Sequence, residues 1–159
     1  IQMIPRKGAE VAEITEKNMR DVLEVRKALE ELAVQLACDK ITKEEIEEMK
    51  KAAEDFKKIL KSKDITEIAE ADVRFHDIIY MATDNQKLIQ LLNNLREQMY
   101  RYRVEYLKRE EAHPQLIAEH AAIIEYISKG EKKAATDIMC KHIDNQVTTV
   151  IDVIRTKQN

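Results

Sequence analysis

Asp72 and His76 stand four residues apart in the stretch AEADVRFHDIIY. On a helix, residues at this spacing lie one above the other on the same face. That face is otherwise apolar and carries Ile65, Ile68 and Ile79. A carboxylate and an imidazole that face a core are costly unless something compensates them. The pattern therefore indicates either a metal ion at this face or an interaction between the two side chains.

Two further histidines, His120 and His142, fall on the apolar stripes of later predicted helices, whereas His113 lies in a predicted loop. Each inward histidine, taken alone, is typical of a hydrogen-bonded core residue, and that alternative stays open. Taken together, one divalent cation would compensate the whole set. Mixed nitrogen and oxygen donors suit Zn, Ni, Co, Fe or Mn. The hypothesis is a metal site formed by Asp72, His76, His120 and His142.

The composition is that of an all-α domain. The chain has 159 residues with only 2 Gly and 2 Pro, 44% hydrophobic and 36% charged residues. The net charge of −3 gives the chain no electrostatic reason to bind nucleic acid by itself. We find no run long enough to span a membrane and no signal peptide, and two isolated cysteines are consistent with a reducing cytoplasm.

Hydrophobic periodicity predicts an antiparallel bundle of about six helices. Their approximate ranges are 17–39, 43–61, a third from Asp64 that carries Asp72 and His76, 86–110, Pro114 to Gly130, and 131–155. Capping signals support the starts: Thr42 with Glu45, Asp64 with Glu67, and Asn85. The inward stripe predicted for the first helix is Val22, Val25, Leu29, Leu32 and Leu36, with Arg26 beside it. On the last helix, either Asn145 or Gln146 is expected to face inward.

Three segments, in order, resemble the FCD domain, the C-terminal effector-binding domain of the FadR branch of GntR-type bacterial transcription regulators. They are VRKALEELAVQLA at 25–37, ADVRFHDIIYMATDN at 71–85, and EHAAIIEYISKGEKKAATDIMCKHI at 119–143. Tyr126-Ile127 and Gly130-Glu131 replace the family's common Ala-Ile and Gly-Asp. The resemblance implies a metal-binding, VanR-like domain, because each of the family's metal ligands has a match: Asp72, His76, His120 and His142.

The segment PRKGAEV at 5–11 resembles the end of a winged-helix wing. The resemblance therefore implies that residues 1–14 are the end of that wing and a linker, and that 15–159 are the all-helical ligand-binding domain. The winged helix itself would lie outside this chain. DNA binding would then belong to that missing domain, in a cytoplasmic homodimer.

The expected function is effector sensing rather than catalysis. A divalent metal, with Zn or Ni ahead of Mn, Fe and Co, would hold a small carboxylate that modulates DNA binding. The expected effector-binding residues are Arg26, Arg103 and Asn145, although Arg26 could instead pair with Glu30 at i+4. Two alternatives remain: a metal-dependent hydrolase, for which no separate general base stands out, and a purely structural helical bundle.

Overall fold

The structure is a computed structural model that describes residues 15–158. Within that range the chain forms seven α-helices, two short 3-10 turns and no strand. The helices are α1 (Glu16–Lys40), α2 (Lys43–Ile59), α3 (Ile65–Ala82), α4 (Gln86–Asn94), α5 (Arg96–Leu107), α6 (His113–Ser128) and α7 (Lys132–Gln158). The all-α prediction is confirmed, while the wing and linker predicted for 1–14 lie outside the described residues. None of the described helices is long and apolar enough to cross a membrane.

The predicted caps are present. Thr42 and Glu45 form a reciprocal capping box at the start of α2. The Asp64 side chain accepts the first backbone N–H groups of α3, and Asn85 does the same for α4. Gly130 has a φ of +69°, a left-handed conformation that glycine adopts without a Cβ penalty. Short polar signals therefore fix where these helices begin and where α6 ends.

The prediction of one continuous helix over 86–110 is wrong. It breaks at Leu95, whose φ of −97° and ψ of 0° depart from helical values. The Leu95 N–H bonds to the carbonyl of Leu92, three residues back. Two asparagines, which are weak helix formers, precede the break. Because Leu88, Leu92 and Met99 are buried on both sides of it, the apolar repeat conceals the interruption.

The inward face predicted for α1 is wrong in part, although Val22 does pack against an apolar cluster. Val25 is 51% exposed and Leu32 is 42% exposed. Leu29 and Leu36 are only partly buried, against α4. The buried face instead comprises Met19, Leu23, Arg26, Glu30, Ala33, Val34 and Ala37. The prediction failed because a buried ion pair occupies the core side, where a hydrophobic pattern expects apolar residues.

Two apolar clusters fill the bundle, and a polar layer lies between them. One cluster includes Met19, Phe56, Ile68, Tyr106, Leu116 and Val150. The other includes Val34, Phe75, Ile79, Ile123 and Met139. Along α1 and α6, the buried polar residues fall between the positions of the two clusters. Along α3 and α7, Asp72 and Gln146 do so, while His76 and His142 lie among positions of the second cluster. Packing of α1 on α7, α2 on α3 and α6 on α7 closes the bundle around this layer.

Candidate metal centre

The polar layer concentrates ionisable side chains that are almost completely removed from solvent. It comprises Arg26, Glu30, Asp72, His76, Arg103, Glu119, His120, His142 and Gln146. Five helices contribute to it, so it exists only once the bundle has formed. Buried charges persist in proteins when they are paired or hydrogen-bonded or when they bind a metal.

Asp72, His76 and His120 bring one ligand atom each to within 4.8 Å of one another. Asp72 Oδ1 lies 3.0 Å from His120 Nε2 and 3.6 Å from His76 Nε2. Neither ring nitrogen of His76 has a hydrogen-bond partner among the described residues, and neither does His120 Nδ1. An unsatisfied buried polar atom costs about 1–3 kcal/mol. A carboxylate oxygen and two imidazoles are a donor set that fits a divalent transition metal.

His142 lies beside this trio but is engaged elsewhere. Its ring is stacked on that of His76, with centroids 5.2 Å apart, and lies 6.1 Å from the ring of His120. Its Nδ1 donates to Glu119 Oε1 over 2.9 Å. The structure therefore brings three of the four predicted ligands together and places the fourth next to them.

The protonation states of the trio are those that metal ligation requires. Burial lowers the pKa of His76 well below 6.5 and also lowers the pKa of His120, so both rings are neutral at neutral pH. Burial alone would raise the pKa of Asp72, but the hydrogen bond to His120 and the charge of Arg103 hold that pKa well below 3.8. Neutral imidazoles beside an ionised carboxylate can bind a cation without first losing protons.

Arg103 is the basic side chain that contacts this centre directly. Its Nε donates to Asp72 Oδ2 over 2.7 Å, which leaves Oδ1 turned toward the histidines. Its Nη2 is buried and has no partner among the described residues. Arg103 also lines a small cavity beside His76, with Tyr80, Leu92 and Met99. That cavity measures about 10 Å³, which is room for about one water molecule.

The other two predicted effector-binding residues have partners within the protein. Arg26 Nε donates to Glu30 Oε2 over 3.0 Å, and Arg26 Nη1 donates to Gln146 Oε1. The Arg26 charge is therefore neutralised by the i+4 pairing that the sequence left open. Asn145 is half-buried and donates to Glu119 Oε2 over 2.7 Å. Between Asn145 and Gln146, it is Gln146 that is buried.

Sequence reasoning missed three residues that shape the layer. Glu119 holds His142, and its position directly before His120 was the available signal. Tyr80 donates to Glu30 Oε2 over 2.7 Å. Tyr106 is buried, and its hydroxyl has no partner within the described part of the chain; burial raises its pKa, with further contributions from Glu119 and Asp72.

The fold and the site define a class: an all-α helical bundle with a buried polar centre. The FCD domain family model matches residues 21–145, so the chain belongs to the FCD domain family. Over 141 residues the chain is 26% identical to YdhC, an uncharacterized HTH-type transcriptional regulator of Bacillus subtilis (strain 168). That match covers 88% of this chain and 63% of YdhC. The chain thus spans somewhat less than two thirds of that relative.

Two solved structures share the fold. Streptococcus agalactiae GntR superposes with a TM-score of 0.73 at 21% identity, covering 89% of this chain and 63% of that one. A GntR-family transcriptional regulator from Pseudomonas syringae pv. tomato str. DC3000 gives a TM-score of 0.70 at 18% identity, covering 93% of this chain and 61% of that one. At these identities the likeness concerns the fold alone.

Proposed function

We propose that this FCD domain senses a small carboxylate effector through a divalent metal ion, as part of a GntR-family transcription regulator. The observation that carries the proposal is that both ring nitrogens of His76 and Nδ1 of His120 have no partner among the residues from 15 to 158, beside the ionised Asp72. Family membership and the relatives described as transcription regulators support the regulatory part. They also favour a non-enzymatic role over a hydrolase, and a bacterial regulator of this kind acts in the cytoplasm, where operator DNA lies.

Asp72, His76, His120 and His142 are the residues that would hold the ion. A bound divalent cation supplies a concentrated positive charge with open coordination positions, to which a carboxylate oxygen is attracted. Zn or Ni is the first expectation from this donor set, with Mn, Fe and Co as alternatives. The unpaired nitrogens count against a purely structural bundle, because apolar residues would fill the same space without the cost of unsatisfied polar atoms.

Arg103 is the strongest of the three effector-binding candidates. Its free Nη2 is a buried donor next to the proposed metal site, whereas Arg26 is occupied by Glu30 and Gln146. Because the adjacent cavity holds only about one water, an organic acid needs side chains around it to move. Arg96 and Asp77 also line that cavity and pair across 2.9 Å with both side chains partly exposed. Separation of this pair is the expected route of entry.

Elemental analysis of the purified domain tests the metal, and calorimetric titration of the metal-loaded domain with di- and hydroxycarboxylates tests the effector. Arg103→Lys should weaken binding of any acid that binds, since a lysine cannot reproduce the guanidinium fork. Arg26→Lys is the comparison variant, with a smaller expected loss. If Arg26→Lys abolishes binding while Arg103→Lys does not, the carboxylate contact belongs to Arg26. A domain that takes up no transition metal would refute the proposal.

The exposed apolar face of α1 supports a homodimer. Val25 and Leu32 are exposed on one side of the helix, where the partly buried Leu29 and Leu36 adjoin them, and Leu91 of α4 is 50% exposed. A twofold contact between two copies of this face would bury it, as isologous interfaces do. Leu32→Glu should convert the dimer to a monomer in light scattering. Met81→Glu, at another exposed apolar position, is the matched control and should leave the mass unchanged.

We further propose that the domain reaches operator DNA only through a winged-helix domain. Effector binding to the helical domain would then change the spacing of two such DNA-binding units. The net charge of −3 favours this division of labour, because phosphate backbones attract basic surfaces. The isolated chain should therefore show no salt-dependent DNA binding in an electrophoretic shift assay. Specific retention of a duplex by this chain alone would contradict the proposal.

A further inference from the structure

Glu119 connects α6 to α7 through two short hydrogen bonds. Its side chain is only 3% exposed. Oε1 accepts from His142 Nδ1 over 2.9 Å, and Oε2 accepts from Asn145 Nδ2 over 2.7 Å. His142 and Asn145 are three residues apart on α7 and so lie on the same face of that helix. Both carboxylate oxygens are therefore held by fixed donors.

This arrangement determines where the proton of His142 sits. Because the carboxylate oxygen is the acceptor in this contact, the hydrogen lies on Nδ1, and in the neutral imidazole the lone pair then lies on Nε2. The other two inward histidines differ. His120 contacts Asp72 through Nε2 and leaves Nδ1 unpartnered, and His76 has neither nitrogen hydrogen-bonded among the described residues. Of these three rings, His142 alone has its Nδ1 held by a carboxylate.

We propose that Glu119 is a positioning residue that fixes His142 in the Nδ1–H tautomer, and that Asn145 in turn fixes Glu119. The inference rests on the proposed metal site, in which His142 Nε2 would be the ligand atom. A carboxylate behind a ligating histidine orients the ring and raises its basicity, and loss of such a partner typically weakens metal binding about 10–100-fold. Asn145 thereby has a role other than contact with the effector.

A plain structural pin between α6 and α7 is the competing explanation, and the test must separate the two. Two measurements do so: Zn²⁺ affinity by competition with a chromophoric chelator, and the His142 tautomer by long-range ¹⁵N–¹H correlation in the metal-free domain. Glu119→Gln keeps the size of the side chain and removes its charge. Glu125→Gln, on the same helix but paired with Lys129 in solvent, is the matched control. Asn145→Ala leaves Glu119 in place without its second donor.

For wild type we expect only the Nδ1–H tautomer of His142. Glu119→Gln should add the Nε2–H form and weaken Zn²⁺ binding about 10–100-fold, Asn145→Ala should weaken it to a smaller extent, and Glu125→Gln should not change it. A lower melting temperature with wild-type tautomer and wild-type Zn²⁺ affinity would show a structural pin and overturn the inference. Weaker binding with an unchanged tautomer would overturn it too.

The outcome also separates the inference from the proposal on which it rests. A wild-type domain that binds no Zn²⁺ refutes both. If the wild-type domain and Glu119→Gln both bind Zn²⁺ with the same affinity, only the positioning role is refuted. If Glu119→Gln does not fold, Asn145→Ala decides, because its half-buried side chain can be shortened with less damage to packing.

Discussion

Removal of either member of the Arg26–Glu30 ion pair should destabilise the domain by several kcal/mol. Arg26 is 1% exposed and Glu30 is 0% exposed. Glu30 Oε2 also accepts the Tyr80 hydroxyl, and Arg26 also donates to Gln146. The pair therefore joins α1, α3 and α7 at the level of the candidate metal centre. A single substitution leaves one charge buried among partners that cannot neutralise it.

The geometry sets the expected magnitude. At 3.0 Å and an effective dielectric constant of about 20, the attraction between the two charges is about 5–6 kcal/mol. Desolvation of both groups offsets much of this, so the intact pair contributes little net stability. Breaking a buried pair on one side costs about 3–5 kcal/mol, because the remaining charge stays desolvated. Arg26→Met and Glu30→Gln should each lower the free energy of unfolding by about that amount.

Urea denaturation followed by circular dichroism at metal-free conditions measures these values. The double variant Arg26→Met/Glu30→Gln should cost clearly less than the sum of the two single variants, since it leaves no unpaired charge. Lys17 and Asp21 provide the matched control on the same helix, also at i,i+4 but with side chains 84% and 56% exposed. Substitution in that pair should cost no more than about 0.5 kcal/mol.

Two results would refute this reasoning. Single-variant losses below about 1 kcal/mol would mean that the pair behaves as an exposed one. Additive losses in the double variant would mean that Arg26 and Glu30 are not energetically coupled.

Three further predictions concern the same bundle. The metal-free domain should lose stability as pH falls below 6.5. In the unfolded chain the histidines take up protons there, whereas the buried His76 and His120 have lowered pKa values and stay neutral. Urea titrations from about pH 7.5 downward measure this loss, and a flat stability profile would contradict it. Chelator treatment should lower the melting temperature, and Zn²⁺ at about 100 times its Kd should raise the free energy of unfolding by about 2.7 kcal/mol. An unchanged melting curve after verified metal loss would argue against a bound ion. Gly130→Ala should cost about 1–2 kcal/mol of stability, because its positive φ strains any residue with a Cβ. No steric clash adds to this cost, since the added Cβ would lie 3.9 Å from the Cys38 carbonyl oxygen. A neutral result in urea denaturation would mean that the turn relaxes.

Local signals in the sequence were sufficient for several helix ends and for the inward position of Asp72 and His76. Caps at Thr42, Asp64 and Asn85 and the turn at Gly130 depend on side chains within a few residues of the helix ends, so they can be recognised without a fold. The spacing of Asp72 and His76 placed both on a buried face, because i,i+4 residues share a face in any α-helix.

Only the tertiary structure determined which buried polar side chains pair with one another. The buried side of α1 carries Arg26 and Glu30, and their charges can be buried only because Tyr80 and Gln146 arrive from other helices. Glu119 likewise finds its hydrogen-bond partner in His142, 23 residues away on the next helix. Hydrophobic periodicity treats one helix at a time: it placed Asp72, His76, His120 and His142 inward but left Arg26 beside the predicted stripe. It therefore could not identify a polar layer whose members stabilise one another only across the assembled bundle.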